Sequence, residues 1–123
     1  DTYWYIDYWG KVSCRNYTDA IIDRLNIDNG NAYHTEEECK EAHERKLAET
    51  RLRKTSDFKP DFENGKGGWI IYYDHGRETL AVCELADCDA GEPVRYATRE
   101  DAEKSIKENE RDWKTYFGIE EWE

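Results

Sequence analysis

Cys83 and Cys88 are separated by four residues, a CxxxxC spacing at the wide edge of what a zinc knuckle uses. Zinc takes four sulfur or nitrogen ligands in tetrahedral closure, so a second pair must come from elsewhere in the chain. Cys14, Cys39, His34, His43 and His75 are available, and the set expected here is Cys14, Cys83, Cys88 and His34. The competing reading is free thiols packed as small hydrophobes, which suits Cys39 best. Zinc or no cofactor at all are the two alternatives that these residues leave open. Hydrolytic chemistry finds less support. Three His and many carboxylates are present, but acid/base work needs them convergent, and no HExxH, nucleophile elbow or phosphate loop occurs. Gly65, Gly67 and Gly68 lead into a strand pattern rather than a helix, so they form no phosphate cradle. Ser13, Ser56 and Ser105 lack a nucleophile's surroundings. No catalytic residue is assigned, and the chain is expected not to be an enzyme.

Carboxylates are the more informative chemistry. Asp and Glu number 29 against 18 Lys and Arg, a formal net charge of -11. Such a chain is repelled by phosphate backbones and anionic membranes, which disfavours direct nucleic-acid or membrane binding and favours basic partners. Thirteen acids face six bases between Glu84 and Glu123. Glu84, Asp87, Asp89 and Glu92 lie in one acidic loop, and Glu120, Glu121, Trp122 and Glu123 form an acidic tail with an aromatic anchor. These eight are the expected partner-binding residues, since aromatics among acids suit a basic surface. The bland alternative is a solvated face that keeps the protein soluble.

Something must hold those carboxylates in place. With 123 residues, 37% hydrophobic and a mean hydropathy of -1.11, aliphatic residues are scarce. Five Trp and nine Tyr compensate, because each buries a large area. Thr2 to Asp7 (TYWYID) and Trp69 to Asp74 (WIIYYD) read as aromatic strands, each followed by a Gly-containing turn and a returning strand. Asn16 to Asp23 is ambiguous between loop and short helix. Asn29-Gly30-Asn31 marks a turn before the extended stretch Ala32 to His34, and Val94 to Tyr96 is a second extended stretch. Thr35 caps a helix with Glu38 three residues on, and Thr98 caps another with Asp101 three residues on. The first helix is expected to end near Lys54. The second carries Ala102, Ile106, Asn109 and Trp113 on one face and stops at Gly118. Phe58 and Phe62 imply that the connector between them packs on the body.

YHTEEECKEA therefore aligns with YATREDAEKS at an offset of 63 residues, placing Cys39 opposite Ala102. The expected fold is α+β, two tandem β-meander-plus-helix units (βββα twice) packed as one pseudo-symmetric domain over residues 1–123. Unit A covers about 1–55, the connector about 56–67, unit B about 68–118, and the tail 119–123. The longest apolar run, Trp69 to Tyr73, has strand length, and no bilayer span is expected. Four sparse Cys suit a reducing, intracellular setting. The chain opens on Asp1 rather than Met, as a trimmed or processed form would.

Trp4-Tyr5-Ile6, Gly30-Asn31 with Tyr33 and Thr35, Glu37-Glu38, Trp69 with Tyr72-Tyr73-Asp74, Glu100 to Lys104 and Tyr116-Phe117-Gly118 together resemble a family of small phage-encoded proteins of unassigned function. The likeness covers most of the chain. Its residues are strand aromatics, helix caps and helix stripes, so it implies a fold and a phage origin without implying chemistry. The cysteines depart from it: Cys39 stands where the family has Ala, and Cys14, Cys83 and Cys88 belong to no shared motif. Phage origin, small size, clustered acidity and the lack of a catalytic motif lead to one functional expectation. The protein is expected to be an anti-defence (anti-CRISPR) inhibitor, acting in the bacterial host cytoplasm by occluding the basic nucleic-acid-binding surface of a type II CRISPR nuclease. The alternative is a structural or accessory interaction module of a larger phage protein.

Overall fold

The computed structural model describes residues 1–85 and 94–119. The chain divides into two compact units, Asp1–Glu44 and Arg45–Glu123. Among the described residues nine elements follow in order: β1 (Thr2–Ile6), β2 (Val12–Asn16), α1 (Ile21–Asp28), α2 (Glu36–Arg53), a 3-10 turn (Phe62–Asn64), β3 (Trp69–Asp74), β4 (Thr79–Glu84), α3 (Arg99–Glu108) and α4 (Glu110–Tyr116). The fold is mixed α and β, with two separate two-stranded antiparallel sheets.

In the first unit β1 pairs with β2, placing Trp4 opposite Cys14 and Ile6 opposite Val12. Asp7 closes the connecting turn. Its Oδ1 accepts from the Trp9 and Lys11 amides, both at 2.9 Å, its Oδ2 accepts from the Ser13 hydroxyl at 2.7 Å, and Gly10 takes φ +78°. The expected third strand is reduced to one bridging residue. The Tyr33 amide donates to the Trp4 carbonyl at 2.8 Å, and the Trp4 amide returns a bond to Tyr33 at 2.9 Å. Two residues earlier the Asn31 side chain takes a strand's place, its amide giving to and its carbonyl receiving from the Ile6 backbone, both at 2.8 Å. The chain then turns at once into α2, where the Thr35 hydroxyl accepts from the Glu38 amide. Glu36, Glu37 and Glu38 fill the first turn of α2, and Arg51 and Arg53 the last, which matches charge to the helix dipole at both ends.

The second unit repeats several of these local devices. β3 pairs with β4, Ile71 opposite Val82. Asp74 Oδ1 accepts from the Gly76 and Arg77 amides. Tyr96 exchanges backbone hydrogen bonds with Trp69 at 2.9 and 2.8 Å, again as an isolated bridge. The Thr98 hydroxyl accepts from the Asp101 amide at the head of α3. Leu52, Ile71, Val94, Tyr96, Ala102 and Trp113 form the buried core, with Trp69, Leu80, Val82, Ile106 and Phe117 packed against it. The Trp113 and Phe117 rings stack with centroids 5.8 Å apart. The connector packs on this body as Phe58 and Phe62 imply. Gly68 sits at φ +87° so close beneath it that a Cβ would stand 2.5 Å from the Phe58 ring and 2.6 Å from the Tyr96 carbonyl.

One element differs from the sequence reading of the second unit. The helix after Thr98 is broken at Asn109, whose φ of -128° and ψ of 31° end α3 before α4 begins. The Asn109 side chain points its amide back toward Ser105 at 3.4 Å, the kind of local bond that draws Asn out of helical geometry. The burial pattern expected along this stretch is present. Ala102 and Trp113 are buried, and Ile106 and Asn109 are partly so.

Candidate functional site

Among the eight partner-binding residues expected from the sequence, Glu84 is exposed at the end of β4. Asp87, Asp89, Glu92, Glu120, Glu121, Trp122 and Glu123 lie outside the described residues. Of the expected zinc ligands, Cys14 is exposed on β2, His34 lies beside Tyr33 in the first unit, and Cys83 is half-buried on β4 in the second. Cys88 lies outside the described residues. No group of three or more His, Cys, Asp or Glu among the described residues is placed to hold a metal ion. Cys39 is fully buried and burial pushes its thiol pKa up, as a packed structural cysteine requires.

Both units contain buried polar hubs that the sequence reading missed. Asp23 in the first is completely buried. Its carboxylate accepts from the Tyr3 hydroxyl at 2.7 Å, Arg15 Nε at 2.7 Å, the Thr18 amide at 2.8 Å, the Thr18 hydroxyl at 3.1 Å and the Ala20 amide at 3.2 Å. The Tyr3 bond, then the Thr18 amide, hold its pKa far below the usual carboxylate range, with Arg15 and Ala20 adding to them against the opposing effect of burial. Tyr3, whose pKa is raised by burial and by Asp23, accepts in turn from Asn26 Nδ2 at 3.0 Å. In the second unit the donors run in one direction. The Thr55 hydroxyl gives its proton to the Leu52 carbonyl, so Tyr96 must donate to Thr55 and Ser105 to Tyr96. Ser105 Oγ then accepts from Trp113 Nε1 at 2.9 Å. Ser105 is thus a structural node whose proton is committed to Tyr96. It forms the floor of a polar groove of about 410 Å³ bordered by Phe58, Asp101, Lys104 and Glu108.

Surface chemistry in the first unit is more suggestive of function. The β1–β2 turn locked by Asp7 holds Tyr8 and Trp9 out at 93% and 79% exposure, their rings packed edge to face 5.7 Å apart. Two large side chains fixed on a hydrogen-bonded turn lose little freedom on binding, as good anchors do. On α2, Glu37, Glu41 and Glu44 are exposed at i, i+4 and i+7, which lines their carboxylates along one side of the helix at about 5–6 Å intervals. These three have no ion partner among the described residues. The bases nearest along α2 are already engaged: Lys40 pairs with Glu36, and Arg45 Nε donates to the Tyr116 carbonyl. The helical spacing of these glutamates is readable from sequence, but the acidic loop and tail are denser in carboxylates and stand out more.

No protein-family model matches the chain, and no curated protein or solved structure is significantly similar to it. No helix among the described residues is long and apolar enough to cross a membrane.

Proposed function

We propose that this chain is a non-catalytic binding protein that covers a basic surface of a partner protein. The observation that carries the reading is the stripe Glu37, Glu41 and Glu44 on α2, carboxylates that no cation neutralises among the described residues of a chain with net charge -11. Evenly spaced negative charge on a rigid helix resembles a phosphate backbone to a basic groove and steers the encounter with it. Tyr8 and Trp9 supply the apolar anchors that slow release. The sharper form of the proposal is a phage-derived anti-defence protein that acts in the bacterial host cytoplasm and blocks guide or target DNA loading by a type II CRISPR nuclease.

The internal repeat belongs to the same proposal. Tyr33 and Tyr96 each bridge to a Trp on the preceding hairpin, Thr35 and Thr98 each cap the next helix, and Cys39 and Ala102 each donate an amide to that Thr carbonyl at 3.2 Å. These shared bonds support descent of both units from one βββα ancestor, with the third strand worn down to a bridge.

The experiment is DNA cleavage by a panel of type II nucleases, with the protein added before or after the guide RNA. Inhibition only when the protein is added first marks a block of guide loading, and inhibition in both orders marks a block of target DNA loading. Inhibition should fall with Glu37, Glu41 and Glu44 all changed to Gln, and by more than about thirtyfold with Tyr8 and Trp9 both changed to Ser. Cleavage unimpaired across the panel would refute the nuclease form. Failure to bind any cationic protein at physiological salt would refute the broader reading.

A further inference from the structure

Helix α1 is built inside out. Its polar residues Asp23 and Asn26 are buried at 0% and 9% exposure, while Ile21, Ile22, Leu25 and Ile27 are 76%, 46%, 52% and 52% exposed. The Asp23 hub holds the helix through its polar side, so the outward aliphatics are not needed to seat it. In a chain whose residues are 38% charged, three exposed branched side chains on one face of a short helix mark an interaction surface. Ile21 and Leu25 stand one turn apart with Ile22 beside them. Ile27 lies on another flank of the helix, where it borders a groove with Tyr17, Ala32, Tyr33 and His34.

The charges around this face select its occupant. Asp28 follows Ile21 at i+7, at the negative end of the helix dipole, and no base lies in the last turn of α1. Arg24, the base on this helix, is paired with Asp19 at 3.0 Å. Across the first unit, ten acids face four bases. A second copy of the chain or an anionic membrane would bring like charge against like. We infer that the face of α1 formed by Ile21, Ile22 and Leu25 docks a cationic amphipathic helix of the partner protein, one with an apolar stripe flanked by Lys or Arg. The inference rests on the binding role proposed above and adds to it the apolar half of recognition.

The test uses a synthetic Leu/Lys amphipathic peptide of about four helical turns, a scrambled peptide of the same composition, and a Leu/Glu counterpart. Binding is followed by NMR of the Ile and Leu methyl groups. The Leu/Lys helix should shift the methyls of Ile21, Ile22 and Leu25 and leave those of Ile27 in place, and the scrambled peptide should bind about tenfold more weakly or worse. Ile21→Ser with Leu25→Ser should lose a similar factor while the melting curve stays in place, and Tyr72→Ser, on β3, should bind as the parent does. Equal binding of the scrambled peptide would overturn the inference and leave the charge-driven role standing. Equal binding of the Leu/Glu peptide would also overturn it, as would self-association abolished by the double substitution, α1-dependent binding to anionic vesicles, or α1 methyls already packed against the chain's own residues. No binding of either cationic peptide would remove both the inference and the role beneath it.

Discussion

Replacing Ser105 with Ala takes one oxygen out of the core of the second unit and leaves the Trp113 indole N–H without its acceptor. Trp113 is 1% exposed, so water cannot replace the 2.9 Å bond that is lost. An orphaned neutral donor in that position costs about 1–3 kcal/mol. Tyr96 fares better because its own proton remains bonded to Thr55, and it loses only the bond it accepts, about 0.5–1.5 kcal/mol. The expected cost is therefore about 1.5–4.5 kcal/mol, a fall in melting temperature on the order of 10 °C for a domain of this size. A double-mutant cycle separates the terms. In a Trp113→Phe background there is no indole donor to strand, and Ser105→Ala should cost about 0.5–1.5 kcal/mol, giving a coupling of about 1–3 kcal/mol. Urea unfolding of the four proteins, with equal m-values as the check on two-state behaviour, measures it. Additive costs, or a neutral Ser105→Ala, would refute the one-way donor chain from Trp113 to Leu52.

Two further outcomes follow from the same structure. Because the Asp23 pKa is depressed in the folded state, its contribution is complete above the unfolded carboxylate value near 4 and is lost as pH falls toward the folded value. Stability should be flat from about pH 5 to about pH 8 and drop below about pH 4, and Asp23→Asn should flatten the acid limb of a thermal-melt series; an unchanged limb would show that other carboxylates govern it. Gly68→Ala places a methyl against the Tyr96 carbonyl in a left-handed backbone and should destabilise by about 2–3 kcal/mol. The Phe58 ring can swing aside, but the carbonyl is held by Trp69, so a second change, Phe58→Leu, should not rescue the protein.

Sequence pattern was most legible where the chemistry is local. Aromatic alternation with a Gly-bearing turn gave both hairpins, and a Thr with an acid three residues on gave both helix starts. Helix capping depends only on neighbours, so no distant residue can overrule it. The inverted α1 was not legible. The string Ile21-Ile22-Asp23-Arg24-Leu25 invites the aliphatics inward, and the remote Tyr3 and Arg15, together with Thr18 and the Ala20 amide, make Asp23 the better residue to bury. The extended stretches at Tyr33 and Tyr96 were anticipated as strands, but strand length depends on how soon the following helix begins. The break at Asn109 was hidden because Asn is tolerated on a helix face as well as at its end. For the candidate site, composition identified acidity as the dominant surface property. It did not single out the Glu37 stripe or the Tyr8–Trp9 tip, because exposure is a property of the folded chain.

A first unit seated on a buried carboxylate has an unusual relation to mutation. Directional bonds fix its interior, so even a shape-preserving change such as Tyr3→Phe strikes at the scaffold. The aliphatic exterior of α1 carries no such duty and can drift freely between apolar side chains. A protein organised this way can refit its outer face to a changing counterpart, generation after generation, without renegotiating its own fold.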